Sequence, residues 1–225
     1  MQVSLDLIYG LPSQTMDDWR RDVEQALCLG ITHLSAYALT VEPGTPLDAM
    51  LRQGLAEEAD EELSRKMYSH LMDAADKAGF IHYEISNFAL PGFHSRHNSS
   101  YWQGTPYIGF GAGAHSYDGQ RIRRANLPDI KAYIAARGDV PHETEILDDD
   151  TRYNELVMTR LRTRHGIPLD ELPDALRRYC LHMAEGHIGR RLVIRDHHLC
   201  LTREGIFTSN DVICDLMKVK SEEQE

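Results

Sequence analysis

The sequence predicts an α/β protein that begins as part of a parallel βα sheet or barrel and ends in a small helical, winged-helix-like domain. Three apolar runs, at residues 3–9, 31–40 and 81–88, alternate with two amphipathic helical patterns. After about Pro141 the pattern changes to helices around one hairpin signal. We therefore expect two domains, at residues 1–140 and 141–225.

The elements of the first domain have recognisable ends. Thr15 and Asp18 have the spacing of a capping box, which predicts a helix start, and Gly30 is a suitable helix end. A second helix is predicted around Met67 and Leu71. Three strands cannot close a barrel, and the first strand begins almost at the first residue. We therefore expect this sheet to be a piece of a larger one.

The second domain is predicted from three signals. Asp148, Asp149 and Asp150 precede a helical pattern. Short apolar runs at 191–195 and 198–202 flank a polar turn and predict a hairpin, and a last helix is expected at 206–217.

Composition and charge exclude several classes of protein. The 225 residues carry a formal net charge of −11, which argues against nucleic-acid binding because phosphate neutralisation needs clustered positive charge. No apolar run is long enough to span a bilayer and no signal segment is evident, so we expect a cytoplasmic protein. The four cysteines are isolated from one another, so no metal site is expected in this chain.

A glycine-rich stretch, YIGFGAGAHS at residues 107–116, is the most informative segment. If it is a strand, Gly109, Gly111 and Gly113 share one face with Tyr107 and His115. Such a bare face lets a flat ligand or another backbone approach closely. Tight packing against a helix is the alternative.

A histidine- and aromatic-rich run, FHSRHNSSYW, lies just before it. His94 and His97 have a spacing that metal ligands can have, but a zinc site needs a third protein ligand. An imidazole beside Tyr101 and Trp102 also suits a planar ligand, because aromatic rings stack and histidine can ligate haem iron. A polar loop held by hydrogen bonds is equally compatible with these residues.

Two acidic residues and three arginines complete the candidates. Asp6 and Glu84 interrupt apolar strands, which favours either a structural ion pair or a polar ligand contact. The basic cluster consists of Arg121, Arg123 and Arg124. These arginines could bind substrate carboxylates or balance an acidic surface.

Five motifs in order resemble the radical-SAM haem chaperone family, relatives of oxygen-independent coproporphyrinogen III oxidase. The motifs are DLIYGLPSQT (6–15), LSAYALTVEPGTP (34–46), YEISNFALPG (83–92), HNSSYW (97–102) and GFGAGAHSY (109–117). The resemblance covers nearly the whole chain. It implies the later part of a radical-SAM (TIM-like) barrel at residues 1–140 and a HemN-type C-terminal domain at 141–225.

The resemblance also implies binding residues. Asp6, Ile8 and Thr40 match positions at the S-adenosylmethionine site. Further positions near that cofactor in the oxidase match Ser99, Ser100 and His115. The HNSSYW motif implies a haem contact through His97, with Tyr101 and Trp102 beside it.

The family's C-x3-C-x2-C loop, which holds a [4Fe-4S] cluster, is not in this sequence. We therefore expect no S-adenosylmethionine cleavage by this chain alone. The complete protein is expected to bind the cluster and S-adenosylmethionine, receive haem and pass it to haem-dependent proteins. Two alternatives stay open: an oxidase that decarboxylates coproporphyrinogen III, with the arginines as propionate partners, and a cluster-free haem-binding module.

Overall fold

The structure, a computed structural model, describes residues 2–136 and 138–219. The chain divides into two compact units, residues 1–95 and 96–225. This division falls earlier than the domain boundary expected between residues 140 and 141, which stays a prediction. Among the helices of the described residues, none has the length and apolar character needed to cross a bilayer.

The first unit alternates strands and helices, as predicted. Its elements are β1 (Ser4–Tyr9), α1 (Met16–Cys28), β2 (His33–Ala38), α2 (Pro46–Arg52), α3 (Glu61–Lys77), β3 (Ile81–Glu84) and β4 (Asn87–Ala89). Helix α2 was not predicted, although Thr45 caps it and Pro46 occupies its first turn.

The four strands form one mixed sheet in the order β1-β2-β4-β3. Strands β1 and β2 are parallel, whereas β4 runs antiparallel to both β2 and β3. The single third strand expected at residues 81–88 is wrong, because the chain reverses at Ile85 and Ser86 to make two short strands. Within the described residues the sheet is open and closes no barrel.

Helices α1 and α3 cover one face of this sheet. The capping box at the start of α1 is confirmed, because Thr15 Oγ1 accepts the Asp18 N–H at 3.1 Å and Asp18 accepts the Thr15 N–H at 3.0 Å. Trp19 is fully buried and its Nε1–H donates to the carbonyl of Met67 at 2.7 Å. The ring of Tyr9 lies 5.5 Å from that of Trp19, so the Tyr9 side of β1 is the helix-covered side.

The second unit contains two small antiparallel sheets and six helices of α type among its described residues. Its elements are α4 (Arg96–Trp102), β5 (His115–Tyr117), β6 (Ile122–Asn126), α5 (Ile130–Ala135), β7 (His142–Ile146), α6 (Asp149–Leu161), β8 (Ile167–Pro168), a 3-10 turn (Leu169–Glu171), α7 (Asp174–Ala184), β9 (Leu192–Arg195), β10 (His198–Leu201), α8 (Arg203–Phe207) and α9 (Ser209–Leu216). The sheet orders are β5-β6-β7 and β8-β10-β9.

The predicted hairpin of the second unit is confirmed. Strands β9 and β10 pair antiparallel, and their connection is the two residues Asp196 and His197. Both have positive φ, 47° and 62°, as a tight primed hairpin turn requires. The single last helix expected at residues 206–217 is wrong, because Thr208 leaves helical geometry and separates α8 from α9.

Candidate functional site

Asp6 and Ile8 lie on the face of the sheet opposite the helices of the first unit. Exposed and less exposed residues alternate along β1, and Asp6 and Ile8 are on its exposed side. Register places Asp6 beside Ser35 and Ile8 beside Tyr37 on β2. Within the described residues Asp6 forms no ion pair, so the sequence-based alternative of a structural ion pair is not supported.

Thr40 lies at the carboxyl end of the same two strands. It lines a cleft of about 340 Å³, together with Gly10, Val41, Glu58 and Ser64. Ligands of α/β proteins commonly bind at the carboxyl ends of parallel strands. The structure therefore brings Asp6 and Ile8 together on one face and places Thr40 in a cleft just beyond their strand ends.

The first unit offers two kinds of surface to a ligand. Ile8 and Tyr37 are 49% and 44% exposed and present apolar and aromatic surface. The Asp6 carboxylate, two residues before Ile8 on the same face, can accept hydrogen bonds. This combination suits a small molecule that has a planar part and hydroxyl or ammonium donors.

A partly buried hydrogen-bond chain, which the sequence did not reveal, runs beside Asp6. The Tyr83 oxygen accepts the Ser95 N–H at 3.3 Å, so its own hydrogen can be donated to Nε2 of His33, 2.7 Å away. The neutral His33 ring then carries its hydrogen on Nδ1 and donates it to Ser4 Oγ at 2.9 Å. Burial lowers the pKa of His33; the Asp6 carboxylate opposes that shift and His94 adds to it.

Glu84 has a structural role in the same unit. Its side chain is buried, and Oε2 accepts hydrogen bonds from the Ser86 N–H at 3.0 Å and from Nδ2 of Asn87 at 2.6 Å. Ser86 lies in the reversal between β3 and β4 and Asn87 begins β4, so the carboxylate holds that turn.

Helix α4 carries the HNSSYW motif in the second unit. His97 is exposed and Tyr101, four residues later on the same helical face, is 42% exposed. Their rings meet edge to face with centroids 5.0 Å apart. An exposed imidazole next to an exposed aromatic ring is an arrangement that can bind a metal-containing planar ligand.

The other predicted residues of α4 are held differently. Ser100 Oγ donates to the His97 carbonyl at 2.7 Å, which occupies that hydroxyl within the helix. Ser99 is half-buried on the same helix. The guanidinium of Arg162 lies 5.5 Å from the ring centroid of Trp102, whose Nε1 is buried and makes no hydrogen bond within the described residues.

The glycine-rich stretch does not form the strand considered from the sequence. Gly111 and Gly113 have φ values of 118° and 73°, so the three glycines do not share a strand face. The strand begins only at His115, which is exposed. The expected close approach of another backbone is confirmed at Gly109, where an added Cβ would lie 2.1 Å from the His115 carbonyl oxygen.

The arginine cluster is paired with carboxylates. Arg121 pairs with Asp149, and Arg124 approaches Asp139 at 2.7 Å. Arg123 approaches Glu155 at 2.6 Å and Glu145 at 3.4 Å; although burial opposes its charge, the Glu155 hydrogen bond and nearby carboxylates raise its pKa. The structure therefore favours the charge-balancing role.

The cysteines do not form a cluster site. Cys28 and Cys214 are exposed, whereas Cys180 and Cys200 are buried and burial raises the pKa of both thiols. Across residues 2–136 and 138–219, no group of three or more histidine, cysteine or acidic side chains could hold a metal ion. These residues do not fit an iron–sulfur cluster.

Comparison with known proteins gives one family match and a series of relatives. Residues 147–208 match the HemN C-terminal domain. The heme chaperone HemW of Mycobacterium tuberculosis (strain ATCC 25618 / H37Rv) is 37% identical over 220 residues, which are 96% of this chain and 55% of that protein. HemW of Synechocystis sp. (strain ATCC 27184 / PCC 6803 / Kazusa) is 46% identical over 176 residues, which are 76% of this chain and 42% of that protein. The chain spans about half the length of the curated relatives it matches.

A mitochondrial relative and one solved structure extend the comparison. The radical S-adenosyl methionine domain-containing protein 1 of Mus musculus is 43% identical over 114 residues, covering 51% of this chain and 26% of that protein. Coproporphyrinogen III oxidase (HemN) from Escherichia coli, a radical SAM enzyme, superposes with a TM-score of 0.70 at 17% identity, over 96% of this chain and 54% of that one. At this identity the likeness shows the fold.

Proposed function

Because this chain belongs to the family of the radical-SAM haem chaperones, we propose that the complete protein binds haem and passes it to haem-dependent proteins. One observation carries the proposal: the exposed imidazole of His97 lies edge to face with Tyr101, in the HNSSYW motif. Histidine nitrogen is a common axial ligand of haem iron, and an adjacent aromatic ring can pack against the porphyrin. Trp102 is the third residue that we assign to this site.

The family also implies S-adenosylmethionine as a cofactor, and the first unit fits it. We assign cofactor contacts in this unit to Asp6, Ile8 and Thr40. For Ser99, Ser100 and His115 of the second unit, the family resemblance alone supports the assignment as cofactor contacts. The Asp6 carboxylate would accept donors of the cofactor, and Ile8 would pack against its planar part. When bound, S-adenosylmethionine supplies a source of a carbon-centred radical.

The cluster and the architecture are proposed for the complete protein. Its [4Fe-4S] cluster would be held by residues other than the four separated cysteines described above. We further propose that residues 1–140 are the later part of a radical-SAM barrel. Residues 141–225 would then be a HemN-type domain with a winged-helix-like arrangement around the β9–β10 hairpin.

Haem titration of the complete protein tests the His97 assignment. His97→Ala should raise the dissociation constant for haem about tenfold or more and remove the Soret signature of a histidine-ligated iron. His182→Ala, an exposed histidine on α7, is the matched control. Unchanged affinity and spectrum in His97→Ala would remove this residue from the site.

Equilibrium dialysis with S-adenosylmethionine tests the cofactor assignment. Asp6→Asn in the complete protein should weaken binding, because a carboxylate accepts hydrogen bonds from donors more strongly than an amide does. Asp17→Asn, exposed on α1, is the control. Equal binding by parent and Asp6→Asn would contradict the assignment.

The alternative enzymatic function has a direct assay. An anaerobic reaction of the complete protein with coproporphyrinogen III would yield decarboxylated porphyrinogen if the protein is an oxidase. The pairing of Arg121, Arg123 and Arg124 with carboxylates does not favour these arginines as propionate partners. Haem binding by this chain alone, without a cluster, would instead favour the cluster-free module.

A further inference from the structure

Tyr107 lies outside the HNSSYW motif but contacts it. Its ring centroid is 5.0 Å from that of Tyr101, with the planes inclined at 66°. The ring of Tyr101 in turn meets the imidazole of His97. Three rings therefore form a continuous contact chain from Tyr107 to His97, entirely within the second unit.

The backbone of Tyr107 is the fixed end of this chain. Its N–H donates to the Tyr117 carbonyl at 2.9 Å, and the Tyr117 N–H donates to the Tyr107 carbonyl at 2.9 Å. These reciprocal bonds join Tyr107 to β5, which is itself paired with β6. The side chain of Tyr107 is only partly exposed. The backbone pairing with β5 therefore fixes where the ring lies.

At the other end, α4 is held through Trp102, whose ring lies beside Arg162 at the end of α6, but His97 and Tyr101 are on its exposed side. Helix α4 has seven residues, and isolated helices of that length are marginal in water. His97 is exposed at its start, and Tyr101 is 42% exposed. The ring of Tyr107 therefore restricts the rotation of Tyr101, and Tyr101 restricts the imidazole.

We propose that Tyr107 is a positioning residue that fixes the His97 imidazole for haem iron through the ring of Tyr101. This inference rests on the proposed haem-binding function. Aromatic pairs contribute about 0.5–1.5 kcal/mol beyond burial, which corresponds to about a two- to tenfold change in affinity. The ring of Tyr107 makes the contact with Tyr101, whereas its phenol group also interacts electrostatically with Arg123, which is not part of this site.

The experiment is a haem titration of the complete protein with Soret and electron paramagnetic resonance spectra. Tyr107→Leu should raise the dissociation constant about two- to tenfold and broaden the signal of the histidine-ligated iron. Tyr107→Phe, which keeps the ring, should match the parent in both. Weakened binding in Tyr107→Phe, or parent-like binding in Tyr107→Leu, would overturn the proposal.

A double variant separates this inference from the function on which it rests. In the His97→Ala background, Tyr107→Leu should cause no further loss, since the group that it positions is absent. A full further loss would overturn the positioning role. Parent-like haem binding by His97→Ala would show that the proposed haem site is wrong. If His97→Ala loses haem but Tyr107→Leu binds it like the parent, only the positioning role is wrong. Should Tyr107→Leu not fold, Tyr107→Met has the same expected outcomes.

Discussion

Nε2 of His33 lies 2.7 Å from the hydroxyl oxygen of Tyr83, and both side chains are buried in the first unit. This pair joins β2 to β3 across the sheet although β4 lies between those strands. The Tyr83 hydroxyl can donate to an unprotonated Nε2 while it accepts the Ser95 N–H. The fold therefore favours the neutral form of His33.

The stability of the first unit should decrease below about pH 6.5 because of His33. Its folded pKa lies below the ordinary value of 6.5, so the unfolded chain takes up a proton first. The stability that neutral His33 contributes is fully present above about pH 6.5 and is lost as the pH falls toward the pKa of His33 in the folded protein. Between about pH 7.5 and about pH 5, roughly one unit or more on either side of the ordinary histidine pKa, the free energy of unfolding in urea should decrease less for His33→Gln than for the parent.

The matched control for this pH effect is His182→Gln, since His182 is exposed on α7. That variant should keep the slope of the parent. Parallel decreases in the parent and in His33→Gln would show that another group is responsible.

Trp19→Ala should destabilise the first unit by about 3–5 kcal/mol, because a fully buried indole is replaced by a cavity. The variant also removes the hydrogen bond from Nε1–H to the Met67 carbonyl. Leu29→Ala is a suitable control, since Leu29 is 69% exposed at the end of α1 and should change stability by about 0.5 kcal/mol or less. Equal unfolding midpoints for the two variants would contradict the packing described for α1.

Thr15→Ala should cost about 1 kcal/mol, because the Asp18 N–H in the first turn of α1 loses its acceptor. Thr15→Ser keeps the hydroxyl and should stay within a few tenths of a kcal/mol of the parent. Chemical denaturation of the three proteins measures the difference. A loss of the same size in Thr15→Ser would point to the methyl group instead of the cap.

Gly109→Ala should destabilise the second unit by about 1–3 kcal/mol, as overpacking does, because the new Cβ would collide with the His115 carbonyl. Gly186→Ala is the control: its Cβ meets nothing within 4 Å and its φ is not positive. Thermal unfolding followed by circular dichroism compares them. Similar midpoints for both variants would show that residues 109–111 can move away from β5 at no cost.

Local signals in the sequence predicted local structure well. The Thr15–Asp18 box and the two-residue turn at Asp196 each involve groups within a few positions of one another, and both are confirmed. The strand expected at residues 81–88 was wrong because its reversal has neither glycine nor proline; the Glu84 side chain supplies the turn hydrogen bonds instead. A side chain that replaces a turn residue leaves little mark in a hydrophobic pattern.

Relationships between distant residues were only partly predictable. The sequence showed that Asp6 interrupts an apolar strand, but not that it lies on the exposed side of β1, where the structure places it. The chain from Ser4 through His33 to Tyr83 was missed, since it joins residues 29 and 50 positions apart. The glycines at 111 and 113 alternate like strand residues, yet their positive φ values produce a turn.

The order β1-β2-β4-β3 has a consequence for handling the isolated chain. Among the described strands, β1 pairs with β2 alone, so the outer N–H and C=O groups of SLDLIY can accept another strand. A single carboxylate, Asp6, is the one charge along this edge, and it points away from the hydrogen-bonding direction. The chain should therefore stay monomeric in dilute solution above its pI of about 5.5, because like-charged copies repel. Raising the protein concentration at a pH near the pI should promote intermolecular β-sheet.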